Sequence, residues 1–129
     1  ESGGTMNFGQ HAWIGLNAGG VGTLDIDGGT VNVAGMFGPG WGGGTGYVNV
    51  LDGGALNLTG FNETTSITGS SLLDIIGTGI VTLTGNRVTA INNSANNGFI
   101  AGNGTTGAAN LLVSYDSWNY YRFLYCIPG

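Results

Sequence analysis

Few side chains in this sequence could do chemistry, and they are unevenly placed. The single histidine, His11, follows Gln10 and precedes Trp13 by two residues. A hydrolytic triad needs a nucleophile, a base and an orienting acid in contact. Serine is plentiful, but no Gly-x-Ser-x-Gly run sets one on a nucleophile elbow. Asp25 and Asp74 occupy equivalent polar positions of a repeat, with Asn49 between them. On a straight ladder they would lie roughly 10 Å apart, a separation inverting glycosidases can use. Nothing in the pattern distinguishes one as acid and the other as base. Eliminating a uronate-rich polymer calls for basic groups, and only Arg87 and Arg122 are present, with no lysine. The chain therefore reads as non-catalytic.

The aromatic residues offer a different chemistry. Sugar rings present apolar C–H faces that stack on Trp and Tyr, while their hydroxyls pair with amides and carboxylates. Trp13 precedes an inward Ile14 and Tyr47 precedes an inward Val48, so alternation turns both outward. Trp41 stands where Leu16 stands in the preceding repeat, at a corner, partly buried. Gln10, His11, Asn17, Asp25 and Asn49 could complete a binding platform around these rings. The alternative is that Trp13 and Tyr47 are incidental surface residues. Asp25, Asp27, Asn49 and Asp52 cluster before glycine pairs, where oxygen donors suit calcium. Their competing role is to accept hydrogen bonds from turn amides. Otherwise no cofactor is expected.

These side chains must be held by a repeat. Gly3-Gly4-Thr5-Met6-Asn7-Phe8 returns as Gly28-Gly29-Thr30-Val31-Asn32-Val33, as Gly53-Gly54-Ala55-Leu56-Asn57-Leu58 and, weakly, as Thr78-Gly79-Ile80-Val81-Thr82-Leu83. A second motif runs Thr23-Leu24-Asp25-Ile26, Tyr47-Val48-Asn49-Val50, Leu72-Leu73-Asp74-Ile75. Both alternate apolar and polar with period two, as half-buried strands do. Glycine recurs too often in these segments for a helix. Strand, Gly-rich corner and strand, returning about every 25 residues, describe one coil of a parallel β-solenoid. Its apolar ladders point inward, and outward Asn7, Asn32 and Asn57 stack as amides, a better fit than the threonine array ice binding needs.

The chain is expected to be all-β and one domain: regular coils over 1–84, a distorted looped coil over 85–113 and a C-terminal cap over 114–129. In that distorted coil, Gly98-Phe99-Ile100-Ala101-Gly102-Asn103 is similar to Ala12-Trp13-Ile14-Gly15-Leu16-Asn17. Leu111-Leu112-Val113 reads as a buried strand. The aromatic tail, from Trp118 to Tyr125, would plug the end, since an open solenoid end invites aggregation. The start, Glu1-Ser2-Gly3-Gly4, lacks an initiator Met and a signal core and falls inside the repeat. It reads as a piece cut from a longer chain, with an upstream domain or coil removed, or as a mature fragment.

Composition agrees with this picture. Of 129 residues 28 are glycine, and two Arg against seven acids leave a net charge of -5. That balance excludes an electrostatic grip on nucleic acid or anionic lipid. No apolar run approaches the ~20 residues that span a bilayer. The lone Cys126 cannot staple the fold.

Gly28-Gly29-Thr30-Val31-Asn32-Val33, followed by Gly40-Trp41-Gly42-Gly43-Gly44-Thr45-Gly46-Tyr47-Val48-Asn49-Val50, resembles the glycine-rich repeats of bacterial extracellular proteins. Such repeats occur in autotransporter-like passenger regions and in C-terminal accessory modules of secreted polysaccharide-degrading enzymes. Leu112-Val113-Ser114-Tyr115-Asp116 with the terminal Ile127-Pro128 is similar to the closing segment of those modules. The resemblance implies a right-handed parallel β-helix, an extracellular location and a carbohydrate-binding role. The uncharged surface favours neutral polysaccharide such as cellulose, xylan or another glucan. The alternative is a structural stalk or adhesin-like module with no ligand of its own.

Overall fold

The computed structural model of the protein describes residues 3–59, 67, 70–84, 87–116 and 121–126. It is a parallel β-solenoid of about three turns, roughly 25 residues per coil. The first coil runs through β1 (Thr5–Phe8), β2 (Ala12–Ile14) and β3 (Val21–Ile26). The second repeats this as β4 (Thr30–Val33), β5 (Phe37–Pro39) and β6 (Thr45–Val50). The third supplies β7 (Ala55–Leu58) and β8 (Leu72–Ile75), and the fourth opens with β9 (Ile80–Thr84).

Equivalent strands pair in parallel, in the register the repeat predicts. Met6, Val31, Leu56 and Val81 form one inward ladder, and Phe8, Val33, Leu58 and Leu83 another. On the second sheet Leu24, Val48 and Leu73 align, as do Ile26, Val50 and Ile75. Residues 15–20 turn the corner before β3 but only 40–44 turn it before β6, while 27–29 lengthens to 51–54 at the next corner. The missing residue and the extra one cancel, which keeps both ladders straight. The two sets of ladders meet in one narrow core, where each Val, Leu or Ile withdrawn from water contributes about 1.5–3 kcal/mol. Met6 stays exposed although Val31 beside it in the ladder is buried, because among the described residues no strand covers the outer edge of β1.

Glycine decides how tightly β2 and β5 lie against the second sheet. A Cβ on Gly46 would stand 2.2 Å from the Ile14 carbonyl oxygen, and one on Gly22 would stand 2.7 Å from the Gly15 nitrogen. Both positions face inward, so only a bare backbone lets the strands approach. The next rung has Ser71, whose hydroxyl accepts a hydrogen bond from the Gly46 N–H at 2.9 Å.

The chain departs from expectation beyond β9. Residues 85–107 are not only loops: α1 (Val88–Asn96) fills the middle of the fourth coil and buries Ile91, Ser94 and Ala95. The sequence has no glycine between Gly85 and Gly98, which is the gap that lets a helix form. The segment likened to Ile14-Gly15-Leu16 becomes β10 (Ile100–Gly102), but it pairs with β8, not with the β2–β5 face. Ile100 thereby extends the Leu24–Val48–Leu73 ladder. The two-residue β11 (Thr105–Thr106) turns back on β10. A hairpin of β12 (Leu111–Asp116) and β13 (Tyr121–Cys126) then extends the first sheet: β13 pairs antiparallel with β9, and β12 becomes the outer strand. Leu111 is buried but Leu112 is exposed, so this strand alternates where a fully buried one was expected. The expected plugging role of the aromatic tail rests on side chains outside the described residues.

Candidate functional site

The predicted platform divides between two surfaces. On the outer side of the β2–β5 pair, Trp13 points away from the core between inward Ala12 and partly buried Ile14. Its register partner is Gly38. A Cβ on Gly38 would meet the Trp13 ring at 2.5 Å, so the indole lies directly on bare backbone. Trp41 follows at the corner after β5. The two indoles are 5.5 Å apart between centroids, with their planes tilted by 33°. On the other flank the His11 ring is 5.3 Å from Trp13 at 41°. These values fall within the range of favourable aromatic contact. The three rings form one continuous strip, in which Trp13 retains 36% of its surface and Trp41 is half-buried.

Backbone contacts set the strip in place. The Met36 N–H donates to His11 Nδ1 at 2.8 Å, which makes Nε2 the protonated nitrogen of the neutral ring. The Trp41 carbonyl accepts from the Asn17 N–H at 2.8 Å. Asn17 adopts a left-handed conformation, φ 67°, which asparagine tolerates better than most residues. Its side-chain oxygen occupies the place a Cβ on Gly42 would need. Asn17 therefore both shapes the corner and adjoins Trp41. Gln10 is exposed beside His11, and its carbonyl accepts from the Gly35 N–H.

Tyr47, Asp25 and Asn49 sit elsewhere, on the outer side of the second sheet. Tyr47 is 39% exposed, in register with Thr23 and Leu72. Asn49 donates to the Asp25 carboxylate at 2.7 Å. Gly46, next to Tyr47, faces inward against the Ile14 backbone, so the interior of the coil lies between Tyr47 and Trp13. One ligand face uniting all eight residues does not exist.

Asp25, Asp52 and Asp74 are engaged in inter-coil hydrogen bonding. Asp74 occupies a polar position of the repeat, yet it is only 7% exposed and accepts from the Gly104 N–H at 3.0 Å. The loop between β10 and β11 covers it. The Asp52 carboxylate accepts from the Thr78 N–H at 2.8 Å. Among the described residues no three His, Cys, Asp or Glu side chains gather as they would around a metal ion.

A feature the sequence reading did not single out is an open groove of about 330 Å³ beside the asparagine ladder. Asn7, Asn32 and Asn57 line it together with Phe8, Val33 and Ala34. Asn57 donates to Asn32 and Asn32 to Asn7, each at 2.8 Å. The small residues Gly9 and Ala34, just after the inward Phe8 and Val33, were its signal in the sequence.

Comparison of the chain with protein-family models, with curated proteins and with solved structures finds no match.

Proposed function

We propose that this protein is a non-catalytic carbohydrate-binding module that takes neutral polysaccharide on the outer side of the β2–β5 pair. The observation that carries the reading is the continuous His11–Trp13–Trp41 strip. A large exposed indole at the centre of such a strip is costly to leave in water without a partner. A sugar ring stacked on it removes apolar surface from both partners. The His11 Nε2–H, Gln10 and Asn17 supply polar groups beside the rings for hydroxyls. The resemblance of the glycine-rich repeats to accessory modules of secreted bacterial enzymes adds an extracellular setting and a polysaccharide-active partner domain to the proposal.

A structural stalk or adhesin-like module is the second reading. The separation of Tyr47 from Trp13 favours it, since it removes one ring from the shared face, and amide ladders along the axis suit a rigid spacer. Affinity electrophoresis against soluble neutral polysaccharides separates the two. Retardation that Trp13→Ala abolishes supports the binding module. Unchanged mobility on every glycan, with the fold intact by circular dichroism, leaves the structural module.

A further inference from the structure

The first coil ends in an open apolar face. Phe8, Ile14 and Leu24 pack against the core but are only half-buried, and Met6 is 39% exposed. Their register partners one coil later, Val33, Pro39, Val48 and Val31, are all buried. Among the described residues no strand pairs with the outer edge of β1, β2 or β3. A notch of about 20 Å³ opens between Met6, Leu24 and Ile26, where the two sheets meet. Core side chains and unpaired strand edges therefore share one end of the solenoid, and each favours a covering partner.

We propose that this face joins two copies of the chain head to head. The far end of the solenoid does not match it. Ile91, Ile100 and Leu111 are buried there, and the second sheet finishes in β11, two exposed threonines on a strand that runs against β10. A head-to-tail stack would set that polar, reversed strand on β3. The same face of a second copy supplies apolar side chains of matching size, in the isologous arrangement commonest among protein dimers. A two-fold axis through Asn7, normal to the first sheet, sets the two β1 strands antiparallel. Met6 then lies opposite the partner's Phe8, and both stay inward, since residues two apart share a face of a strand. A thioether against an aromatic ring is a favourable contact. Asn7 meets the partner's Asn7 on the outer side. Its carbonyl oxygen accepts from Asn32 at 2.8 Å and keeps a second lone pair for the partner's amide.

Sedimentation equilibrium of the 129-residue chain over a range of concentrations tests this. The expected result is a monomer–dimer equilibrium. Met6→Glu should raise its dissociation constant by about a hundredfold, because it would bury two like charges among apolar side chains. Leu112→Glu, at an exposed apolar position of the far end, should leave it unchanged. Circular dichroism of both variants checks the coil. Asn7→Cys in a Cys126→Ser background gives a reading that does not depend on the folding of Met6→Glu. Directly opposed residues of antiparallel strands lie within disulfide reach, so oxidation should link two chains at position 7. Leu112→Cys in the same background should stay unlinked. A chain that remains monomeric at every concentration, leaving the face to a different protein, overturns the proposal. So does a dimer that a folded Met6→Glu leaves intact, or one that cross-links through Leu112→Cys and not through Asn7→Cys.

Discussion

The indole of Trp13 lies on the backbone of Gly38, its register partner one coil later, because any side chain at Gly38 would stand 2.5 Å from the ring. Gly38→Ala is therefore expected to lift Trp13 away from Trp41 while leaving the coil in place. The near-ultraviolet circular dichroism of the tryptophans should change, and affinity for a soluble neutral glycan should fall about tenfold, the equivalent of ~1.4 kcal/mol. An unchanged near-ultraviolet spectrum would show that the ring does not rest there.

Tyr47 and Trp13 respond differently if the strip is the site. Tyr47→Ala should leave glycan affinity within about twofold of the parent, since Tyr47 stands on the outer side of the other sheet. Trp13→Ala should remove most of it. Equal losses in the two variants, measured by calorimetry on one glycan, would place the ligand on a surface that reaches both sheets.

The asparagine ladder gives a graded stability series. Asn32 both donates to Asn7 and accepts from Asn57, so Asn32→Ala severs two hydrogen bonds and should cost about 1–3 kcal/mol. Asn7→Ala severs one at the exposed end and should cost about 0.5–1 kcal/mol. Urea denaturation measures both. Equal costs would show that the bonds are not additive along the axis.

Two glycines of the solenoid, one in each of the first two coils, should behave in opposite ways. At Gly46 a methyl group would collide with the Ile14 carbonyl oxygen, which belongs to the backbone and cannot swing aside. Gly46→Ala should destabilise by about 3 kcal/mol or fail to fold. At Gly9 a Cβ would meet nothing within 4 Å, and Gly9→Ala should stay within about 0.5 kcal/mol of the parent. Thermal unfolding of the pair is a direct check on the close packing of β2 against β6.

Asp74 tests the covering loop. Removing its carboxylate in Asp74→Ala leaves the Gly104 N–H to solvent, since Gly104 is exposed, and should cost about 0.5–1.5 kcal/mol for the lost hydrogen bond. Asp74→Asn keeps an acceptor oxygen and should recover most of that. Amide hydrogen exchange at Gly104 should speed up in the alanine variant and remain slow in the asparagine one.

The sequence by itself determined the coil. Alternation with period two at a 25-residue spacing fixes which side chains face inward, because a slip of one residue would turn every apolar side chain to water. The pairs Met6–Val31, Leu24–Val48 and Asn32–Asn57 follow from that rule alone. It also determined that Trp13 and Tyr47 point outward. What it could not determine is that they point outward from different sheets. Alternation reports the face of a strand, whereas the relative orientation of two strands depends on the corners between them, and those are set by contacts such as Gly46 with Ile14. The helix Val88–Asn96 and the placement of Ile100 on the second sheet were likewise decided by packing, since the repeat had lapsed there. The ring strip had the same origin in part: His11 and Trp13 are neighbours on one face of the chain, but Trp41 belongs to the next coil, and only stacking one coil on the next, over a glycine with no side chain, brings it to Trp13.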